Sequence, residues 1–157
     1  MWRAAWIDAV DQYNPWWPEA FRLAQNEGRG LLSQGTREWT DYQVSTAVTP
    51  HLTKAAGIAA RVQGLRRFYA LLLCADRKVR LIKALDGDTV LGEKALDWQF
   101  GQTHALQLQV VGQQIKASVD GQLVFEVEDQ TRPLLDGGIA LVCEEGRMAS
   151  NAVTVGP

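Results

Sequence analysis

Apolar and polar positions exchange places by twos along much of this chain. Tyr42, Val44, Thr46 and Val48 alternate with Gln43, Ser45, Ala47 and Thr49, and Ile58, Ala60 and Val62 alternate with Ala59, Arg61 and Gln63. A period of two sends successive side chains to opposite faces of an extended strand. Arg67 to Cys74 is instead a nearly continuous apolar run, as a central strand covered on both faces requires. Val79–Leu85, Thr89–Lys94, Thr103–Val111, Gln114–Val119, Leu123–Glu128, Ile139–Cys143 and Ala152–Val155 read as further strands. Nearer the start, residues 4–10 form a candidate first strand and Asp11–Pro18 a loop. Phe21–Gln25 is a strand, Asn26–Gly30 a glycine-rich turn and Leu31–Gly35 a short extended piece.

The punctuation between these runs is that of hairpins. Asp120-Gly121 separates two strands and supplies the positive φ angles of a tight type I′ turn. Asp86-Gly87 repeats the signal, and Asp136-Gly137-Gly138 turns the chain before Ile139. About twelve strands, with turns every eight to twelve residues and no convincing helix, predict an all-β fold. Twelve strands are many for a small filled barrel. The expectation is a two-sheet antiparallel jelly-roll sandwich spanning 1–157 as one domain, with a loop-rich segment over 1–18. A chain of 157 residues is long enough to bury such a core, alone or excised from a longer protein.

Charge adds one asymmetry. The formal net charge of −2 gives no case for nucleic-acid binding. Between Arg61 and Lys83, however, seven cations (Arg61, Arg66, Arg67, Arg77, Lys78, Arg80, Lys83) face a single acid, Asp76. The remainder carries nine cations and seventeen acids. No apolar run approaches the roughly 18 residues of a membrane span, and the first residues lack the apolar stretch of a signal peptide. A cytoplasmic location is the default. Cys74 and Cys143 lie in apolar runs as buried thiols, a disulfide remaining open on spacing alone.

Catalytic signatures are weak. There is no Gly-x-Ser-x-Gly elbow and no phosphate loop leading into a helix. His51 and His104 are the only histidines, too few and too distant for a His/Cys metal cluster. The carboxylate pairs Asp86/Asp88, Glu126/Glu128 and Glu144/Glu145 read as solvated. Glu27, Asp129 and Asp136 are candidates for a structural calcium ion by their chemistry. Pro15-Trp16-Trp17-Pro18 spells a chromatin-reader tetrapeptide, but the apolar lead-in strand, small barrel and basic surface of that family are missing. The two rings suit a sandwich edge or the C–H face of a sugar. Trp39 and Trp98 read as core plugs. Tyr69 beside Arg67 is either core or a contact for sugar or phosphate.

The segments Trp39-Thr-Asp-Tyr42, Gly57-Ile-Ala-Ala-Arg61-Val-Gln-Gly64-Leu-Arg-Arg-Phe-Tyr69, Gly112 to Gly121 and Gly137-Gly-Ile-Ala-Leu together resemble the concanavalin A-like (laminin G-like) jelly-roll superfamily over about residues 20–157. Pro18 to Gly30 with Thr36 to Tyr42 resembles, more narrowly, the accessory sandwich domain of bacterial ADP-ribosylglycohydrolase-family proteins. The resemblance implies a non-catalytic module beside a separate hydrolase domain, with a sugar site on the concave sheet or the edge loops. The expected function is carbohydrate or glycoconjugate binding without a cofactor, with an anionic ligand favoured. Arg61, Gln63, Arg67, Tyr69 and Arg80 are the candidate contacts on a basic concave sheet. The alternatives are a structural domain packing on a catalytic domain or on itself, and a glycoside hydrolase of the same fold.

Overall fold

The structure, a computed structural model, describes residues 21–157 throughout, and the backbone of Ile7–Ala9 and Gln12–Tyr13. The rest of the expected first strand and the loop with Pro15-Trp16-Trp17-Pro18 lie outside the described residues. The strands are β1 (Ile7–Ala9), β2 (Gln12–Tyr13), β3 (Phe21–Gln34), β4 (Tyr42–His51), β5 (Ala55–Gly64), β6 (Arg67–Cys74) and β7 (Lys78–Leu85). They continue with β8 (Asp88–Ala95), β9 (His104–Val111), β10 (Gln114–Val119), β11 (Gln122–Glu128), β12 (Gly138–Ser150) and β13 (Thr154–Gly156). Every ladder is antiparallel. The all-β jelly-roll sandwich read from the alternation is the fold observed.

Hydrogen bonding follows one path, β11-β10-β9-β4-β12-β5-β6-β7-β8, because two long strands serve both layers. The first part of β12 pairs with β5 and its last part, Arg147–Ser150, with β4. β3 accompanies β12 along its whole length, from Ile139 opposite Gln34 to Ser150 opposite Phe21. The expected turn at Asn26–Gly30 is therefore absent. The strand runs on, with Gly28 at φ 68° absorbing the irregularity opposite the Glu144/Gly146 register shift. Gly146 adopts φ 155°, and a Cβ there would lie 2.2 Å from the Leu52 carbonyl oxygen, so the crossing tolerates no side chain.

The inner faces of the two layers meet in one core that joins Val44, Leu106, Leu108 and Ile115 to Ile58, Leu71, Leu81 and Leu141. The outer face of the β4–β9–β10 layer is polar, with Gln107 donating to Gln43 at 2.5 Å. The opposite layer behaves differently. Leu31, Ala55, Ala59, Phe68, Ala70, Leu72, Ile82, Ala84, Ala140 and Val142 form a second apolar cluster on its outer face. That is why β6 reads as apolar throughout. Asp120 (φ 51°) and Gly121 (φ 82°) form the expected two-residue turn. Trp98 is a core plug, 1% exposed, donating from Nε1 to the Cys74 carbonyl at 3.0 Å.

Two side chains expected on the concave face are interior, and this corrects the sequence reading. By strict alternation Arg61 follows Ala59 onto the outer face. A β-bulge intervenes between Ala60 and Gly64, and Arg61 adopts φ 51°, which swings it inward. At 1% exposure its guanidinium donates to the carbonyls of Thr40 (3.0 and 2.8 Å), Leu134 (2.9 Å) and Gly112, and to Asp41 Oδ1 at 3.0 Å. Burial lowers its pKa, with Asp41 opposing. Tyr69 shares its face with Leu71 and Leu73, so it points into the core at 1% exposure. Its hydroxyl donates to Asp129 Oδ2 at 2.6 Å and accepts from the Leu134 amide at 2.9 Å. Lys83, also inward, lies 2.7 Å from the same carboxylate oxygen and donates to the carbonyls of Arg132 (2.9 Å) and Thr131. The Tyr42 hydroxyl accepts from the Arg61 amide at 2.7 Å, and burial pushes its pKa up to about 12.

This interior network should dominate point-mutant stability. Arg61→Met leaves several buried carbonyls without donors, so a loss of about 3–5 kcal/mol is expected in urea unfolding. Burial alone would raise the Asp129 pKa, but Lys83, Tyr69 and the Thr131 amide outweigh it and hold the carboxylate below its usual range. A depressed folded-state value contributes stability that is complete above the unfolded pKa, about 3.9, and is lost as pH falls through the folded one. Asp129→Asn should therefore be less stable at neutral pH and show a smaller further fall in melting temperature below about pH 4 than the unmodified chain.

A candidate ligand groove on the concave sheet

The second apolar cluster floors a groove. Its lining includes Ala55, Leu72, Cys74, Ile82 and Val90, and the space holds about 450 Å³. Ala55 and Ala75 are the small side chains of its lining. The charged residues that line it come from separate strands and loops: Arg29 from β3, Glu144 from β12, Arg80 from β7, Asp88 from β8, and Lys54 and Asp76 from the adjoining turns.

Arg29 shows that the sheet is concave here. Its strand lies beside β12, at the far side of this layer from β8, yet its fork engages Asp88 at 3.0 Å (Nη1–Oδ1) and 2.6 Å (Nη2–Oδ2). Its Nε donates to Glu144 Oε2 at 2.8 Å, and its guanidinium carbon lies 5.5 Å from the Phe68 ring centroid. A contact across four intervening strands requires the layer to curl toward this face. Burial alone would lower the Arg29 pKa, but Asp88 and Glu144 raise it above the ordinary value. Arg80 is held by Asp76 and by Glu93, its Nε lying 3.0 Å from Glu93 Oε2. Those hydrogen bonds, led by the one to Asp76, raise its pKa. Lys78 reaches Glu93 at 2.7 Å.

Of the five residues expected at the site, Arg80 alone lines this groove. Arg61 and Tyr69 are interior. Gln63 and Arg67 sit at one end of the sandwich, where both line a separate pocket. The groove is also not basic: Arg29, Lys54 and Arg80 face Asp76, Asp88 and Glu144. The run of cations in sequence is offset by acids from other strands, which a linear count does not register. Arg29, Asp88 and Glu144 line the groove and are not among the contacts the sequence suggests. The available signal was parity: Phe68, Ala70 and Leu72 share one face of β6, and Tyr69 lies on the other.

The acids of the groove are already engaged. Each of its acids is paired with a cation, and Glu93 beside it is held below the usual carboxylate range by Lys78 and Arg80. A glycosidase needs a carboxyl with a raised pKa to protonate the leaving group. Among the described residues no group of three His, Cys, Asp or Glu side chains could hold a metal ion. The calcium candidates are engaged separately, Asp129 by Lys83 and Tyr69, and Asp136 by Arg37 and Gln63, with Glu27 exposed on β3. No helix among the described residues is long and apolar enough to cross a membrane.

No family model matches the chain, and no curated protein matches it in sequence. Solved structures do match in fold. The carbohydrate-binding module CBM66 from Bacillus subtilis superposes with a TM-score of 0.86 at 15% identity, covering 98% of this chain and 96% of that one. A protein from Parabacteroides distasonis, described as a candidate glycosyl hydrolase, gives 0.71 at 8% identity and covers 98% and 88%. The galectin LEC-6 from Caenorhabditis elegans gives 0.58 at 12% identity and covers 96% of each chain. These likenesses show that the chain has a galectin-like, concanavalin A-like jelly-roll fold.

The groove thiol offers a direct check on its closure. Cys74 is free, lines the groove and is only 6% exposed, and burial raises its pKa despite Arg80 nearby. Burial likewise raises that of Cys143. A thiol-reactive dye at pH 7 is expected to leave both cysteines unmodified in the folded chain and to label both in urea, read by mass spectrometry.

Proposed function

We propose that this protein is a non-catalytic carbohydrate- or glycoconjugate-binding module whose ligand lies in the concave groove. A sugar ring presents a C–H face and an edge of hydroxyls. The apolar lining of Ala55, Leu72, Ile82 and Val90 suits the first. The rim suits the second, because a guanidinium donates up to five hydrogen bonds and a carboxylate only accepts. Vicinal hydroxyls fit such a mixed rim, where each can donate to an acid and accept from an arginine.

The observation that carries this reading is the Arg29 fork held over the groove between Asp88 and Glu144. Ion pairing fixes these side chains before a ligand arrives, which reduces the ordering cost of binding. Three cations and three acids leave no surplus for an acidic ligand in the groove itself. The anionic preference expected from sequence belongs, in this reading, to another part of the surface. The accessory role beside a separate hydrolase domain, implied by the resemblance to ADP-ribosylglycohydrolase-associated modules, completes the proposal.

The test is a screen of neutral and acidic oligosaccharides by glycan array, followed by titration calorimetry on any hit. Arg29→Ala and Asp88→Asn should each weaken binding about 10- to 100-fold, since a hydrogen bond to a charged group contributes about 1.5–3 kcal/mol. A blank for every sugar, or full affinity in Arg29→Ala, would overturn the assignment.

A further inference from the structure

We infer that the end of the sandwich carries a second site, separate from the groove, for a tetrahedral oxyanion of the phosphate or sulfate class. Arg37, Arg67 and Arg132, from the β3–β4 loop, the start of β6 and the β11–β12 loop, line one pocket of about 340 Å³ together with Gln63, Leu135 and Asp136. Three guanidinium groups from three segments face a single lining acid. None of the three arginines lines the groove.

The arginines are incompletely used within the fold. Arg132 is exposed, and its guanidinium has no hydrogen-bond or ion-pair partner among the described residues. Arg37 spends its Nε on Asp136 Oδ1 at 2.8 Å, leaving its two terminal nitrogens without partners among the described residues. Arg67 is 3.6 Å from Asp86, too far for a hydrogen bond, with both side chains about half exposed. Asp136 Oδ1 also accepts from Gln63 Nε2 at 3.0 Å, so the acid is occupied by two donors. Planar forks that can each place two N–H groups on neighbouring oxygens are the usual partners of phosphate and sulfate.

What makes this a built pocket is the platform beneath it. Lys83 draws the carbonyls of Thr131 and Arg132 inward. Arg61 takes the Leu134 carbonyl, Tyr69 receives the Leu134 amide, and Gln63 donates to the Asp136 carbonyl at 3.0 Å. With its carbonyl drawn inward, Arg132 stands at φ 51°, a conformation that residues with a Cβ rarely adopt, and is exposed. Buried cations thus hold the loop whose outer surface carries the free one. The loop's geometry is fixed before any anion binds.

The probes are inorganic phosphate, inorganic sulfate and glucose 6-phosphate, titrated at constant ionic strength and followed by amide chemical shifts. Saturable shifts confined to residues 35–37, 63–67 and 129–137 are expected. Arg132→Ala and Arg67→Ala should each weaken the response at least fivefold with an unchanged melting temperature, and Arg132→Lys should recover part of it. Tighter binding of glucose 6-phosphate than of phosphate assigns the site to an oxyanion carried on a sugar. Equal binding assigns it to the free ion. Shifts that fail to saturate, that spread over all exposed cations, or that persist in Arg132→Ala would overturn the proposal. Because the readout is local to this end, it is independent of whether the groove binds a carbohydrate.

Discussion

A buried guanidinium organises one end of this protein. Arg61 sits 1% exposed among main-chain carbonyls, and a charge there is tolerated only if every donor is met. Its partners come from Thr40, Asp41, Gly112 and Leu134, on three connections distant in sequence. Satisfying one side chain therefore fixes the β3–β4 loop, the β9–β10 turn and the β11–β12 loop relative to one another. Lys83, Asp129 and Tyr69 extend the same arrangement under the last of these. The end pocket inherits its shape from this network, and the groove lies on the sheet whose strands carry it.

Much of the architecture is legible in the alternation. The strand over Tyr42–Thr49 has the expected faces, strands form over His104–Val111 and Gln114–Val119 close to their expected bounds, and Asp120-Gly121 is the expected turn. Where the reading fails, the cause is local. Asn26–Gly30 has turn composition, but β12 pairs with β3 on both sides of it, so the irregularity is taken up as a bulge opposite Glu144/Gly146 and pairing outweighs propensity. Arg61 keeps the right parity in sequence and loses it to a bulge that no single-strand pattern reveals.

The site is less legible than the fold, for a related reason. A charge run counts neighbours along the chain, whereas a sheet sets each residue against strands from elsewhere. Arg80 and Lys78 meet Glu93 on the next strand, and Arg29 meets Asp88 and Glu144 from β8 and β12. Cations concentrated between Arg61 and Lys83 thus part company: Arg61 and Lys83 are buried, Lys78 and Arg80 are paired beside the groove, Arg77 donates to the Trp98 carbonyl, and Arg67 lies exposed at the sandwich end. The continuous apolar run of β6 held the better clue, because its outer half can only be a covered floor or the base of a binding surface.

The partnership of β3 with β12 has a consequence for assembly. Residues from the first quarter of the chain and from its last eighth are zipped together from Phe21/Ser150 to Gln34/Ile139, and that zipper belongs to both layers. During synthesis neither layer can complete its pairing until Ser150 has left the ribosome. The hairpins between β5 and β11 can form early, but the apolar face of β5 and the edge of β3 must wait, exposed, for the final strand. Long-range closure of this kind makes folding slow and late, and makes the nascent chain a natural client for chaperones.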